Sequence, residues 1–187
     1  MSTIPPDQIQ SLQNAVVSAV DAMKCENQSL FQLSAHEQAI SHRIALYLEQ
    51  GLSKMPITPV VVDCEYNKHL KNSKVFNVNE RFFEQYPNCH CSSCTKHREA
   101  HSDQEQLPDE RDFRPDIVAH TRGNDDNNVI AIEVKKASVC PFDLAKLEAL
   151  TLPKKSEDAY GYSLGVFIFF RDCEAQYRWF IDGIMYE

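Results

Sequence analysis

Long apolar runs are missing from this chain: the longest, residues 166–170, falls far short of the ~20 residues needed to span a bilayer. No membrane crossing is expected. Glycine is scarce, with 5 among 187 residues, which argues against a repeat or low-complexity architecture. Positive charge is also short. Lys and Arg number 19 against 27 Asp and Glu, a net charge of −8, and this disfavours a broad cationic surface of the kind that binds polyanions non-specifically. The amino terminus, MSTIPPDQIQ, has neither the basic start nor the apolar run of a signal peptide, so the expected location is cytoplasmic. Thiols would be reduced there. The seven cysteines are then better read as metal ligands, reactive thiols or packing residues than as a disulfide framework.

What is present is the composition of a folded chain, 43% hydrophobic and 25% charged, long enough for one core with room for an insertion. Ile9, Leu12, Val16, Val17 and Val20 recur at helical spacing behind Pro5 and Pro6, predicting a leading amphipathic helix over 7–23. A second helix is expected over about 34–50, with Ile40, Ile44, Leu48 and also Glu37 on one face and Gly51 as its stop. ITPVVVDCEY reads as the first strand. Apolar periodicity then fades over 67–114, an insertion that needs its own organiser. RPDIVAHT and NVIAIEVKK follow as a hairpin across RGNDDNN. FDLAKLEALT reads as a helix, YSLGVFIFF as a buried strand, and YRWFIDGIMY as an edge strand or cap. The order predicts an α/β fold, a mixed central sheet flanked by helices. The expected division is an N-terminal helical extension over 1–33 and a domain over 34–187 carrying the insertion.

Chemistry concentrates on one strand. Side chains alternate along NVIAIEVKK, so Ile130, Ile132 and Val134 face one way while Ala131, Glu133 and Lys135 face the other. Two charges directed toward a buried layer cost several kcal/mol each unless compensated. Asp116, near the start of the preceding strand, is placed to approach Glu133 across the hairpin, where strands lie ~5 Å apart. Two carboxylates to hold Mg²⁺ and a cation near the attacked phosphorus are what phosphodiester hydrolysis needs. An E-x-K triplet alone is far more readily a charged strand end with a surface ion pair, and the specificity lies in its surroundings.

Those surroundings are Pro115 and Asp116 opening one strand, a turn, then an apolar strand ending in Glu133, Val134 and Lys135, with a helix before and a helix after. This arrangement resembles the PD-(D/E)xK nuclease superfamily, the restriction-endonuclease-like fold, over roughly residues 34–186. The resemblance implies a nuclease acting on DNA ahead of RNA. Asp116 and Glu133 would bind Mg²⁺ or Mn²⁺, Lys135 would orient water and stabilise the transition state, and Glu37 would be the additional first-helix carboxylate. For Glu37 a capping box with Ser34 is the competing reading. Asp63, Glu65 and His120 stand near enough to be considered, the first two as a solvated strand end and His120 as a structural histidine. Lys68, Lys71, Lys74, Lys96, Arg98, Arg111 and Arg114 are available for a local basic path. Members of the superfamily that have lost cleavage serve as binding proteins, which keeps open a silent protein that binds nucleic acid or a protein partner. A homodimer is also compatible.

A second cluster lies in NCHCSSCTKH. Cys89, Cys91, Cys94 and His97, with His101 as a substitute, suit a tetrahedral structural Zn²⁺. Unligated loop thiols and an iron–sulfur cluster are the other readings of the same residues.

Overall fold

The computed structural model describes residues 5–32, 35–57, 60–69, 72–77, 80–92, 94–95, 99, 110–112, 114–124, 126–136, 138–154 and 159–186. Pro6 at the first helical turn, where a missing N–H costs nothing, opens helix α1 (Pro6–Glu26). Its apolar stripe is fully used: Ile9, Leu12, Val16, Ala19, Val20 and Met23 are buried. After a short α2 (Ser29–Gln32) comes α3 (Glu37–Leu52), which buries Ile40, Ile44, Leu48 and Leu52. The amino-terminal segment therefore belongs to the core layer, since α1 and α3 share one apolar cluster with the strands behind them. Among the described residues no helix is long and apolar enough to cross a membrane.

The remaining main elements are β1 (Val61–Cys64), β6 (Ile117–His120), β7 (Ile130–Lys135), α5 (Pro141–Thr151), β8 (Leu164–Arg171), β9 (Glu174–Ile181) and β10 (Ile184–Tyr186). Between β1 and β6 the insertion contributes β2 (Lys68–His69), β3 (Asn72–Ser73), β4 (Val75–Asn77), α4 (Glu80–Gln85) and β5 (Glu110–Asp112). One sheet runs in the order β1-β6-β7-β8-β9-β10. Only β7 and β8 are parallel, with α5 as their crossover, so the sheet is mixed and flanked by helices. The expected single edge strand at 177–186 is two strands. Asp182 and Gly183, with φ of 52° and 75°, make the two-residue turn that an Asp-Gly pair favours in a hairpin.

The central strands are apolar on both faces because both are covered. Ile130, Ile132, Val134, Val166 and Ile168 meet α1 and α3. On the opposite face Val118, Ala131, Phe167, Phe169 and Phe180 meet α5, joined by Phe82, Cys89 and Cys94 of the insertion. The described part of the insertion thus adds apolar surface to the second core, including Phe83 packed edge-on against Phe142 at 4.9 Å between ring centroids.

Helix α5 lies unusually close to the sheet at Gly165. A Cβ there would stand 2.8 Å from Thr151 Cγ2 and 3.0 Å from Phe180 Cβ. Gly165→Ala should therefore push α5 outward and cost about 1–3 kcal/mol by overpacking. Urea unfolding checks this, and a loss under about 0.5 kcal/mol would show that the contact relaxes freely.

Candidate functional site

Antiparallel pairing aligns Ile117 with Ile132, and continuing that register one step sets Asp116 opposite Glu133 on the α5 face of the sheet. Asp116 Oδ2 accepts the Val134 N–H at 2.7 Å, which pins the carboxyl against β7. Glu37, the first residue of α3, comes from the other side. Its Oε1 accepts the Lys136 N–H at 3.0 Å, and its Oε2 receives the Lys135 ammonium at 3.3 Å. The N-cap of α3 is His36, without a side-chain cap bond, and the Glu37 carboxylate is committed to β7. Ser34, its expected capping partner, lies outside the described residues.

Helix α5 closes the site with two residues that the sequence reading did not single out. Lys146 Nζ stands 2.8 Å from Glu133 Oε1 and 2.7 Å from Asp143 Oδ1. Lys135 Nζ reaches Asp143 Oδ2 at 3.4 Å, so the two ammoniums are threaded among Glu37, Asp116, Glu133 and Asp143. Glu133 is 1% exposed. Lys146 pairs with its Oε1, and among the described residues Oε2 has no hydrogen-bond partner.

Burial sets the electrostatics. It pushes the Glu133 carboxyl well above its usual range, opposed by Lys146 and reinforced by the Asp116 and Asp143 charges. Asp116 is raised by the same desolvation, with the Val134 N–H and Lys135 pulling the other way. Asp143 is equally deep, yet Lys146 and Lys135 together outweigh its burial and hold it low. For Lys135 and Lys146 burial works to lower the pKa, and the surrounding carboxylates led by Asp143 more than reverse it. Both lysines remain ammonium ions at neutral pH. Four carboxylates against two ammoniums leave a formal charge of −2 if all are ionised, which an added cation would offset.

The neighbouring residues resolve differently. Asp63 is gripped by both nitrogens of the Arg122 fork and by His120 Nε2 at 3.1 Å, with Arg122 the main cause of its lowered pKa. Desolvation lowers the pKa of buried His120 against the pull of Asp63, and the ring packs edge-on to Tyr66. Glu65 accepts from Gln38 at 2.5 Å and lies 4.0 Å from Arg114, apart from the cluster. The proposed basic path loses Lys74. It is 2% exposed, with its ammonium donating to the carbonyls of Tyr66 and Lys68, so it has no free face for a phosphate. Lys71, Lys96 and Arg98 lie outside the described residues, as does the side chain of Arg111, while Lys68 and Arg114 are exposed.

The second cluster is built from Cys89, Cys91, Cys94 and Cys140, whose Sγ atoms all lie within 4.8 Å of one another. Cys140 Sγ is 3.5 Å from that of Cys91 and 3.8 Å from that of Cys94. Four sulfurs bonded tetrahedrally at ~2.3 Å to one ion would be about 3.8 Å apart, so the cluster is close enough to hold a metal. Cys89, Cys91 and Cys94 of the expected set are brought together, and Cys140 joins them. Cys140 comes from the segment after β7, while His97 and His101 lie outside the described residues. Among the described residues this is the group of three or more possible ligands that converges on one point. The carboxylates of the first cluster do not, because Lys135 and Lys146 stand between them.

Comparison with protein-family models, with curated proteins and with solved structures gives no match for this chain.

Proposed function

We propose that the chain is a metal-dependent nuclease of the PD-(D/E)xK kind, hydrolysing phosphodiester bonds of DNA ahead of RNA, and that the four-cysteine site carries a structural zinc. The observation that carries the first part is one largely buried cluster in which Glu37, Asp116, Glu133 and Asp143, from separated segments, surround Lys135 and Lys146. The order supports it as well: a helix, three antiparallel strands, a helix, then a parallel strand.

Asp116 and Glu133 would hold Mg²⁺ or Mn²⁺. Their hard oxygens, the unpartnered Oε2 of Glu133 and the residual negative charge fit such an ion, which commonly takes one or two carboxylates and completes its shell with water and phosphate. When bound it would polarise the phosphoryl oxygens and acidify a water. Lys135 supplies what a permanent ammonium can: a positive charge beside the phosphate as negative charge builds in the transition state. It is too basic here to take a proton from water. Glu37 and Asp143 aim that ammonium, and the half-open side of the cluster lies at Glu37 and Lys135.

Incubation of the purified chain with plasmid, single-stranded DNA and RNA, with and without Mg²⁺ or Mn²⁺, tests this. Cleavage should need the metal, and Glu37→Gln should reduce it roughly 10–100-fold through loss of Lys135 alignment. Binding without cleavage under every metal condition would leave a catalytically silent binding protein instead.

A further inference from the structure

Cys140 is the residue that joins the two clusters. It is the N-cap of α5, its carbonyl accepts the N–H groups of Asp143 and Leu144 at 3.1 Å each, and its thiol faces Cys91 and Cys94. The three partner thiols come from the insertion, 46 to 51 residues earlier in the chain. Three and six residues beyond Cys140 stand Asp143 and Lys146, the two α5 residues of the carboxylate–lysine cluster.

We infer that the four-cysteine site is a metal clamp that fastens the insertion to the N-terminus of α5 and thereby sets Asp143 and Lys146 against Glu133. This rests on the zinc reading of the site and is independent of whether the chain cleaves nucleic acid. The chemistry favours a thiophilic ion with tetrahedral preference, zinc above the harder cations. A disulfide does not describe the site, because the Cys91 and Cys140 sulfurs are 3.5 Å apart against ~2.05 Å for a bond, and two further thiols share the space. Nor does ordinary packing, since unligated thiols have no reason to bring four sulfurs to one point, three of them on buried residues and the fourth half-buried.

The clamp holds α5 at its only charged buried end. The contacts of the insertion with α5 also include Phe83 on Phe142 and an Arg81–Glu148 ion pair at 2.6 Å. Ring packing on Phe142, beside Asp143 in the first turn, does not fix that turn by directional bonds. A metal bonded to Cys140 does, because the helix axis starts there, and a small rotation at that point displaces Lys146 from between Glu133 and Asp143. The ion would therefore act as a positioning element for the buried charge cluster, without meeting a substrate.

The test uses the full chain as purified. Elemental analysis should find about one zinc per chain, and cobalt exchanged into the site should show the absorption of a tetrahedral tetrathiolate centre. Cys140→Ser, and stepwise chelation of the unaltered chain, should then raise amide hydrogen exchange in residues 141–151 by about tenfold or more while β8 stays protected. Lys146 should in the same samples become open to amine acylation read by mass spectrometry, and Cys140→His should restore metal and protection together. A chain that holds no metal and takes up none on titration overturns the zinc reading itself. Metal that binds and leaves with α5 exchange and Lys146 reactivity unchanged overturns the clamp alone. Loss of protection in β8 in step with α5 also overturns it, since the ion would then support the whole fold and not the helix.

Discussion

Lys146→Met should destabilise the fold by about 3–5 kcal/mol at neutral pH, the scale expected when one partner is removed from a buried ion network. Lys146 is the cation nearest both Glu133 and Asp143, at 2.8 and 2.7 Å. Methionine keeps much of the side-chain volume, so lost charge and not a cavity dominates the change. The pH dependence carries the argument further. The Glu133 pKa is raised in the folded state, so its contribution favours folding below the unfolded carboxyl range and is lost as pH rises through the folded value. Asp143 runs the other way: held low by Lys146 and Lys135, it stabilises above the unfolded carboxyl range and loses that contribution as pH falls. Removing Lys146 raises both carboxyls. The deficit should therefore be largest near pH 7 and shrink toward about pH 4, where both groups accept protons in the variant. Urea midpoints at the two pH values measure this. A deficit under about 1 kcal/mol, or one that ignores pH, would mean that the Lys146 contacts are incidental.

Half of this cluster was legible in the sequence because it obeys local periodicities. Alternation along β7 set Glu133 and Lys135 apart from Ile130, Ile132 and Val134, and the structure separates the same residues between the two cores. The helical spacing of Ile40 and Ile44 directed Glu37 inward, where it meets Lys135 and Lys136. Asp143, Lys146 and Cys140 had a weaker signal. Two charges at i and i+3 in FDLAKLEALT, a helix buried almost all round, are costly unless partnered, and that cost was there to be read. Their partners were not, because Glu133 and the insertion thiols reach them only through the β7–α5–β8 crossover. The same holds for the metal site: the density of Cys and His in NCHCSSCTKH argues for a ligand cluster, while nothing local marks Cys140, 46 residues past Cys94, as its fourth member. The Asp182–Gly183 turn, by contrast, was a short-range hairpin signal inside an aromatic run that reads as continuous strand.

Stability and activity should part at Glu133. Glu133→Gln is expected to lower metal-dependent cleavage by at least about 10²–10³-fold, the scale of removing one electrostatic contributor to a transition state, while leaving unfolding free energy at pH 7–8 unchanged or slightly higher. The side chain is 1% exposed and its ionised form is disfavoured by burial and by the Asp116 and Asp143 charges, so a neutral amide of nearly the same shape removes that cost. Lys146 keeps Asp143 as its partner at 2.7 Å, so the ammonium is not stranded. A carboxylate retained at a stability cost is what a reacting site requires, and a purely structural ion pair gives the opposite pattern. The Glu133→Gln variant should also lose the part of its stability–pH slope that comes from protonating this carboxyl, whereas Lys146→Met should steepen it. Parallel measurement of plasmid cleavage and urea midpoints on the same preparations separates the outcomes. Loss of about 3 kcal/mol or more in Glu133→Gln, with cleavage falling only in proportion to the folded fraction, would make Glu133 a scaffold residue and end the catalytic reading of the cluster.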